Sequence, residues 1–390
     1  MMLIENKIDN TKSNTILLLL YFFQYGLLIP LTVVLRGQYP IAIFTFLLFC
    51  YALLNNRIII SSYSALAFLF PLSVLVLKLP FEHYIPEVNV AAELIISFGT
   101  IGLSGILIGS IKFSQEKFIN YGFTLGIVNF LLLCIIPFTS LYMEEVNYMR
   151  FGYAILPSVI FSFLFLFRET KFKKINIVLF LLSLTELLIF GARGAMLTFL
   201  LFAFIYLIFI SDISKINKSL ICLFIVLIFI SLKFIFEYAI EKLADFGLYS
   251  YALTKYLNIF NGDSLASTSS GRDDIYQIAI NRIEESFWVG SPLNTCYIDT
   301  GSTYYHNIIL DILVNFGIIG FLFFLFFLFY NIFKVIRTDD KKRKIIFFVL
   351  IMVSMGRLFV SSSFWQRPEF WMFVGYCVNY NYEKFKSNFI

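Results

Sequence analysis

The stretch RDDIYQIAINRIEESFWVGSPLNTCYIDTGSTYYHNIIL, residues 272–310, joins a polar segment to one of the apolar runs of the chain. It is the second half of Glu237–Asn307, the one long polar segment in an otherwise apolar sequence. Every other connection between apolar runs has about a dozen residues or fewer, whereas this one has about seventy. The charged side chains of this segment are therefore the first candidates for chemistry.

The composition is typical of a membrane protein. Of 390 residues, 59% are hydrophobic and 14% are charged, and the mean hydropathy is +0.84. Soluble domains carry about 25% charged residues, so an ordinary globular protein is excluded. The 49 phenylalanines and 23 tyrosines suit a lipid-facing surface with aromatic anchors at its edges. A net charge of +5 does not indicate a nucleic-acid partner, because the basic residues lie mostly in short connections.

The cysteines predict neither a disulfide framework nor a metal site. Four of them, Cys50, Cys134, Cys222 and Cys377, lie in apolar runs, and only Cys296 lies in the long polar segment. A single outside cysteine cannot form an intramolecular disulfide, and no Cys/His spacing of a metal site is present. We therefore expect no metal and no cofactor, with the cysteines acting as small hydrophobic side chains.

Twelve apolar runs predict an all-α polytopic membrane protein with about twelve transmembrane helices, because about 20 apolar residues cross the hydrocarbon and about 17 suffice. The first run has 23 uncharged residues between Lys12 and Arg36, so we interpret it as an anchor and not as a cleaved signal. Lys233 interrupts the ninth run, and the twelfth is short. The predicted spans are 15–35, 39–55, 58–78, 91–111, 118–140, 151–167, 175–191, 194–211, 219–236, 305–333, 345–363 and 369–381.

The distribution of lysine and arginine predicts the orientation. With the N-terminus in the cytoplasm, nineteen of the thirty basic residues fall in inner connections and tails. Both termini are then cytoplasmic, and the long segment is periplasmic, on the outer side of a bacterial inner membrane. We divide the chain into an N-terminal bundle of about nine helices (1–236), a large periplasmic loop (237–304) and about three C-terminal helices (305–390).

The long loop is expected to contain amphipathic helices. Residues 237–260 interleave aromatic and aliphatic side chains with a few charges, as in helices that lie on a membrane surface. A second helix is expected to be capped by Ser270, to carry Asp273 and Asp274 in its first turn, and to end at Gly290–Pro292. Its apolar stripe, at helical spacing, is Ile275, Ile278, Ala279, Ile283 and Phe287.

Ionisable residues gather at the predicted outer face. Arg193 lies in the turn Gly191–Ala195, Arg272 opens the second loop helix, and His306 enters the tenth span. Charges at membrane depth are costly, so each should face a cavity or a partner. The candidate catalytic residues are His306, Arg272 and Arg193, and the candidate substrate-binding residues are Arg282, Glu186, Asp311, Arg357 and Arg367.

Each candidate also has a purely structural interpretation. Arg193 could bind lipid headgroups, Arg272 could be a solvated residue at a helix start, and His306 could be an interfacial side chain without a chemical role. Glu186 and Asp311 could form buried pairs with an arginine or with Asn315. Arg357 and Arg367 could anchor the last spans at the interface, and Asp273 and Asp274 could simply complement the helix dipole.

The convergence of arginines with one histidine is more informative than any single residue. Arginine forks match diphosphate oxygens bidentately, and the outer leaflet is where a lipid-diphosphate headgroup would be presented. The sequence has no P-loop and no Gly-rich dinucleotide motif. A donor that is already activated as a lipid diphosphate would need neither.

Three motifs resemble the O-antigen polymerase/ligase superfamily. The turn Gly-Ala-Arg-Gly-Ala at 191–195 is similar to the Ser-Arg-Gly motif that opens the core of that family, with alanine in place of serine. Ser270-Gly271-Arg272, followed by Tyr276, Ala279, Trp288, Gly290 and Pro292, resembles its loop pattern. Tyr305–Leu310, with Gly317 and Gly320, resembles its His-Asn-x-x-Leu entry to the next helix. The resemblance covers residues from about 180 to 335.

The resemblance implies a metal-independent membrane glycosyltransferase that moves a glycan from undecaprenyl diphosphate to an acceptor hydroxyl. By matched position, Arg193 and Arg272 would hold the donor diphosphate and stabilise its charge as it leaves. His306 would orient or deprotonate the acceptor hydroxyl, or would contact the phosphate. The expected partners are the lipid-linked oligosaccharide and membrane lipid, with a chain-length regulator and a flippase as neighbours by family analogy.

Three functions remain open at this point. The first is an oligosaccharide repeat-unit polymerase that extends a lipid-linked glycan for O-antigen or capsule. The second is an O-antigen ligase, which has the same donor but uses lipid A–core as its acceptor. The third, a lipid-linked oligosaccharide flippase, would need a charged cavity spanning both leaflets, whereas the charges here gather at one face.

Overall fold

The computed structural model describes residues 10–37, 39–56, 62–82, 89–139, 148–168, 172–214, 233–245, 247, 249–261 and 272–387. This part of the chain is helical and contains no strand. The helices are α1 (Thr11–Val34), α2 (Tyr39–Asn56), α3 (Ser62–Lys78), α4 (Val90–Ser97), α5 (Leu103–Ser110), α6 (Gln115–Leu133), α7 (Tyr148–Leu166), α8 (Lys173–Phe190), α9 (Arg193–Ile205), α10 (233–245), α11 (Tyr251–Phe260), α12 (Arg272–Glu285), α13 (Thr295–Thr300), α14 (Ile308–Ile336), α15 (Lys341–Leu358) and α16 (Pro368–Ser387).

The all-α polytopic fold is confirmed. Seven of the described helical stretches are long and apolar enough to cross a membrane, with α4 and α5 joined through the π-helical turn Phe98–Gly102 into one of them. Helices also occupy the second, seventh, eleventh and twelfth predicted spans. Most of the ninth predicted span lies outside the described residues, and the helix 233–245 runs through Glu237. The count of twelve spans stays a prediction.

The two ends of the bundle can be told apart by their contacts. At one end, which we call the N-terminal face, the Asn14 amide donates to the carbonyl oxygen of Lys112 at 2.8 Å. Lys341 pairs with Asp212 at the same end. At the opposite end, the loop face, lie the start of α7, the turn between α8 and α9, the start of α14 and the connection from α15 to α16. The candidate residues of the sequence analysis lie toward the loop face.

Helix α7 lies at the centre of the bundle. Of its membrane-spanning window, 83% of the residues are buried, against 11% for the window that covers α3. Phe161 of α7 packs on Phe22, Phe23 and Phe118 from α1 and α6. Because α7 is enclosed on most sides, the side chains at its loop-face end are held by neighbours from several helices.

The loop helix α12 packs on α14 through the predicted apolar stripe. Ala279 is buried, and Ile275, Ile278 and Ile283 cover a small cluster that includes Val314 of α14. Asp273 and Asp274 lie in the first turn of α12 as predicted, whereas Ser270, the predicted cap, lies outside the described residues. The helix is shorter than predicted, since it ends at Glu285 and not at Gly290–Pro292. Phe287, the last residue of the predicted apolar stripe, therefore lies beyond the helix, and it is 44% exposed.

The helix ends early because the next residues bond to α14. Gly317 adopts φ 64° and ψ −170° inside α14 and breaks its hydrogen-bond ladder. The carbonyl oxygen of Phe287 accepts from the N–H of Ile318 at 2.8 Å, and that of Trp288 accepts from Ile319 at 3.4 Å. A main-chain join of 287–291 with 314–319 thus satisfies the groups freed by the kink, which lipid could not do.

The same loop segment is held from α3. The Lys78 ammonium donates to the carbonyl oxygens of Val289 and Ser291, at 3.2 and 2.7 Å. The Glu82 carboxylate accepts from the backbone N–H groups of Leu293 and Asn294, at 2.7 and 3.1 Å. The first third of the chain therefore fixes the position of the loop over the bundle.

Candidate functional site

Arg193 begins α9 in a turn that packs closely on α7. Gly194 follows it, and a side chain at Gly194 would collide with the hydroxyl of Tyr153. The glycine therefore allows the turn to approach α7, which brings the Arg193 backbone beside the Tyr153 phenol. Burial raises the pKa of the nearby Tyr256 phenol, and the positive charge of Arg193 opposes that shift. Arg193 is thus placed between α7 and the loop helix α11.

Arg272 lies at the first residue of α12, close to both α7 and His306. Its Nη2 atom is 3.8 Å from the sulfur of Met149 in the first turn of α7. It interacts electrostatically with the Tyr153 phenol and with the His306 imidazole. Arg272 and the turn that contains Arg193 come from segments far apart in sequence, and the structure places both beside Tyr153.

His306 has an unusual backbone conformation, with φ 57° in the left-handed region. The Tyr276 hydroxyl donates to its carbonyl oxygen at 3.4 Å, and the Tyr304 ring lies 4.5 Å from its imidazole ring. Burial, and then the charge of Arg272, lower the pKa of His306. The imidazole is therefore neutral at pH 7, which is the form that can accept a proton.

Asp311 supports the backbone around His306 from the first turn of α14. It is 2% exposed, and its Oδ1 atom accepts from the Tyr305 N–H at 2.6 Å. Asn315 contacts Asp311 as predicted, but through the main chain: the Asn315 amide donates to the backbone carbonyl of Asp311 and not to its carboxylate. This geometry points to a positioning role for Asp311, and a substrate contact stays a prediction.

Glu186 is not brought into this group by any ion pair in the described part of the chain. It is 8% exposed, and neither carboxylate oxygen has a hydrogen-bond partner there. It lies close enough to Cys134 at the end of α6 to interact with it electrostatically. The predicted pairing of Glu186 with an arginine is therefore not found among the described residues, and its role in substrate binding stays a prediction.

Arg282 belongs to a separate ion-pair group on the loop. Its Nε and Nη2 atoms donate to the Asp299 carboxylate at 2.8 and 2.7 Å, and Nη1 donates to Glu285 at 2.7 Å. These bonds raise the pKa of the Arg282 guanidinium. It follows Arg272 by ten residues, which is about 15 Å along a helix. The structure therefore gives Arg282 a role in joining α12 to α13.

A second arginine group surrounds the ring of Tyr25 in α1. The guanidinium carbons of Arg150, Arg357 and Arg367 lie 5.5, 5.2 and 5.4 Å from the ring centroid. Arg357 also lies 5.7 Å from the ring of Tyr153, so this Tyr25 cluster adjoins the group that contains Arg193 and Arg272. Burial, and then the charge of Arg357, lower the pKa of Arg367, as expected where like charges are crowded.

The sequence analysis missed Arg150, Tyr25, Tyr153, Lys78 and Glu82. Arg150 had a usable signal, since it stands at the outer end of a predicted span as Arg193 and Arg357 do. The two tyrosines are among 23 in the chain, and nothing in the sequence separates them from interfacial anchors. Lys78 and Glu82 contact a segment more than 200 residues away. No local pattern predicts such contacts.

The arrangement suits an anion more than a metal ion. No three of the His, Cys, Asp and Glu residues that the structure describes come together as a metal-binding group. Arg272 and Arg357, by contrast, come from distant segments to Tyr153 at the loop-face end of α7, and Arg272 also acts on neutral His306. Arg367 lies beside Arg357 at the Tyr25 ring, and the turn that contains Arg193 packs on the Tyr153 hydroxyl. Such a set can bind phosphate oxygens and move one proton.

The family comparison agrees with this geometry. Residues 177–325 match a family model described as O-antigen ligase. The match places residues 177–325 in the O-antigen polymerase/ligase superfamily. Members of this superfamily are membrane glycosyltransferase-like enzymes. No curated protein and no solved structure shows a significant match to the chain.

The superfamily match covers only part of the site. It includes Glu186, Arg193, Arg272, Arg282, His306 and Asp311. The Tyr25 cluster lies entirely outside it, since Tyr25 and Arg150 precede residue 177 and Arg357 and Arg367 follow residue 325. The helices that flank the matched segment thus contribute residues that the family model does not include.

Proposed function

We propose that this superfamily member is an oligosaccharide repeat-unit polymerase that uses a polyprenyl-diphosphate-linked donor. The observation that carries the proposal is that Arg272 lies close to both Tyr153 and neutral His306 at the loop face, where the turn that contains Arg193 packs on the Tyr153 hydroxyl. Two arginine forks supply bidentate donors for a diphosphate, and the histidine supplies a base. The loop is fastened over this face through Lys78 and Glu82.

In the proposed reaction, an acceptor hydroxyl attacks the anomeric carbon of the donor glycan. A new C–O bond forms, and the bond from the anomeric carbon to the diphosphate oxygen breaks. Polyprenyl diphosphate leaves with the electron pair, and Arg193 and Arg272 stabilise its charge. His306 takes the proton of the attacking hydroxyl, which its lowered pKa allows at neutral pH.

We place the enzyme in the inner membrane of a bacterium, with the loop face toward the periplasm. The support is the lysine and arginine bias of the connections, which assigns the N-terminal face to the cytoplasm. The product would be a polymer for lipopolysaccharide O-antigen or a capsule, built on undecaprenyl diphosphate. A flippase would supply the units, and a chain-length regulator would be a neighbour; both follow by analogy.

An O-antigen ligase is the second candidate, favoured by the printed description of the matched family model. It would use the same donor and the same arginines, and only the acceptor would differ. A flippase is the weakest candidate, because the arginines collect at one face and the described residues show no comparable set at mid-depth.

Complementation tests the proposal. A host that makes the lipid-linked repeat unit but lacks its own polymerase would receive wild type, Arg272→Ala, His306→Ala or Asp274→Asn, at matched membrane levels. Asp274 is exposed on the same helix as Arg272 and serves as the control. We expect a lipopolysaccharide or capsule ladder with wild type and Asp274→Asn, and a single repeat with the other two.

Two outcomes would contradict the proposal in different ways. In a second host that keeps its polymerase but lacks its ligase, polymer that reaches lipid A–core only when this chain is present would identify a ligase. Ladders of normal length from both Arg272→Ala and His306→Ala would remove these residues from the active site.

A further inference from the structure

The Tyr25 cluster gathers positive charge from three separate parts of the chain. Arg150 lies in the first turn of α7, Arg357 near the end of α15, and Arg367 in the connection before α16. All three guanidinium carbons lie within 5.5 Å of one ring centroid. Like charges this close together repel one another, and each guanidinium lies against the same ring.

No carboxylate in the described part of the chain forms a direct ion pair with Arg357 or Arg367, although Glu369 acts on Arg367 electrostatically from a longer distance. Neither arginine forms an ion pair within the described ranges, where the arginine ion pairs are those of Arg282 and Arg343. The Nε atom of Arg357 is buried and has no hydrogen-bond partner there. Arg367 donates to a neutral group, the Ser362 hydroxyl. Partly buried arginines in this state are suited to an anion that arrives from outside.

The cluster is open enough to receive such an anion. All three arginines are partly exposed, as is Tyr25, although Tyr153 beside them is buried. The guanidinium groups come from three separate segments to one ring, which suits a ligand with several oxygens in a small volume. A diphosphate diester has this shape and carries two negative charges, so it can accept several bidentate bonds.

The cluster adjoins the donor site and is distinct from it. Tyr153 contacts both groups, since Arg357 lies 5.7 Å from its ring and the turn that contains Arg193 packs against its hydroxyl. The Tyr153 hydroxyl itself donates to the carbonyl oxygen of Gly356 at 3.1 Å, which fixes the ring against α15. Two groups of arginines therefore adjoin one immobilised ring at the loop face.

We propose that the Tyr25 cluster is a second diphosphate site, which holds the diphosphate of the acceptor. This inference rests on the proposed function, in which Arg193 and Arg272 hold the diphosphate of the donor. During transfer, only the bond between the donor glycan and its own diphosphate breaks. The acceptor keeps its diphosphate, and Arg150, Arg357 and Arg367 hold that group while the other end of the acceptor reaches His306. The acceptor is then itself a lipid diphosphate, which is the substrate of a polymerase and not of a ligase.

A binding measurement tests the second site without requiring catalysis. Radiolabelled inorganic pyrophosphate is the probe, and equilibrium dialysis of the full chain in nanodiscs gives the number bound. We expect two per chain for wild type, one for Arg272→Gln, and one for the double variant Arg357→Gln/Arg367→Gln. Arg357→Lys/Arg367→Lys keeps the charge but loses the forks, and it should bind the second pyrophosphate about tenfold more weakly or worse. Thermal unfolding confirms that each variant is folded.

A transfer assay then assigns the second site to the acceptor. The donor is the labelled lipid-linked unit, and the acceptor is either a lipid-diphosphate-linked unit or the same oligosaccharide with a free reducing end. For Arg357→Gln/Arg367→Gln, the ratio of transfer to the lipid-linked acceptor over transfer to the free one should fall about tenfold or more. For Arg272→Gln, both rates should fall together and leave the ratio unchanged.

The outcomes separate this inference from the proposed function. One pyrophosphate per wild-type chain, weakened equally by both sets of variants, would show a single site and overturn the second-site proposal. Two pyrophosphates with an unchanged acceptor ratio would overturn the assignment to the acceptor. Two pyrophosphates without any transfer by wild type would refute the polymerase and, with it, the acceptor role, while leaving two anion sites.

Discussion

The Oδ1 atom of Asp311 accepts a hydrogen bond from the backbone N–H of Tyr305 at 2.6 Å, with both residues buried. Tyr305 precedes His306, whose φ of 57° is a conformation that side-chain-bearing residues seldom adopt. The carboxylate therefore holds the chain where it turns to present the imidazole, and Tyr276 holds the next carbonyl. His306 is immobilised through its backbone before any substrate binds.

Substituting Asp311 tests this positioning role. Asp311→Asn keeps an oxygen that can accept from Tyr305, so we expect transfer within a few-fold of wild type. Asp311→Ala leaves the Tyr305 N–H buried without an acceptor, which costs about 1–3 kcal/mol, and transfer should fall about tenfold or more. Thermal unfolding and initial transfer rates measured on the same purified samples check both expectations. Equal loss in the two variants would instead indicate that the carboxylate itself contacts the substrate.

The pKa of His306 can be measured directly. In a His83→Gln chain, His306 is the sole histidine, and diethyl pyrocarbonate modifies an imidazole only in its neutral form. Because burial and Arg272 lower the pKa, the modification rate should reach half its maximum below pH 6.5. Transfer should likewise lose activity only as the pH falls below 6.5, where the base becomes protonated.

Arg272 supplies a control for the same titration. Arg272→Gln removes the positive neighbour but not the burial, so the midpoint of modification should rise toward pH 6.5. Ultraviolet absorbance of the modified imidazole follows the reaction. A wild-type midpoint above pH 6.5, or no movement in the variant, would contradict the neighbour effect.

Gly317 is predicted to tolerate no side chain. At φ 64° and ψ −170° a non-glycine residue costs about 1–3 kcal/mol, and a β-carbon would also collide with the Trp288 carbonyl oxygen. Gly317→Ala should therefore lower the unfolding temperature and reduce transfer. Gly99→Ala is the control, since Gly99 is helical and its β-carbon would meet nothing within 4 Å. Similar unfolding temperatures for the two variants would show that the kink is dispensable.

The ion pair of Arg282 with Asp299 is predicted to support stability. Asp299 has a side chain only 11% exposed, so Arg282→Gln leaves a largely buried carboxylate without its bidentate partner. We expect a loss of about 1–3 kcal/mol in either single variant, and less than the summed loss in Arg282→Gln/Asp299→Asn. Thermal unfolding of all four proteins gives the coupling.

A different result would support the predicted substrate contact of Arg282. If Arg282→Gln kept the wild-type unfolding temperature but lost transfer as severely as Arg272→Ala, the guanidinium would have to contact the substrate. The same variants thus distinguish the two interpretations of this arginine.

Much of the fold could be predicted because lipid imposes a simple rule on the sequence. Runs of about 20 apolar residues bounded by charges predict helices, and the described helices follow those runs closely. The apolar stripe of α12 was predicted equally well, since Ile275, Ile278 and Ala279 pack as their spacing indicates. The end of α12 could not be predicted, because it depends on carbonyl groups of Phe287 and Trp288 that accept hydrogen bonds from α14.

The site was only partly predictable. Arg193, Arg272 and His306 stand at ends of apolar runs, where an ionisable residue is conspicuous. That criterion does not identify Tyr25 and Tyr153 as site residues, because aromatic residues are common near the ends of membrane spans. The pairing of Arg282 with Asp299 was not predictable, since Asp299 lies in a short helix that no pattern in the sequence indicates, and a substrate contact of Arg282 stays a prediction.

The join of Trp288 and its neighbours with the kink at Gly317 uses main-chain atoms alone. Every residue except proline carries these atoms, so most substitutions in 287–291 leave the fastening intact, provided that Gly290 and Gly317 persist. The exposed side chains Trp288 and Val289 are then free to diverge between lineages without loosening the segment. In an enzyme whose glycan substrate changes from strain to strain, side chains that recognise the glycan could then be substituted while the main-chain hydrogen bonds kept the loop segment in position.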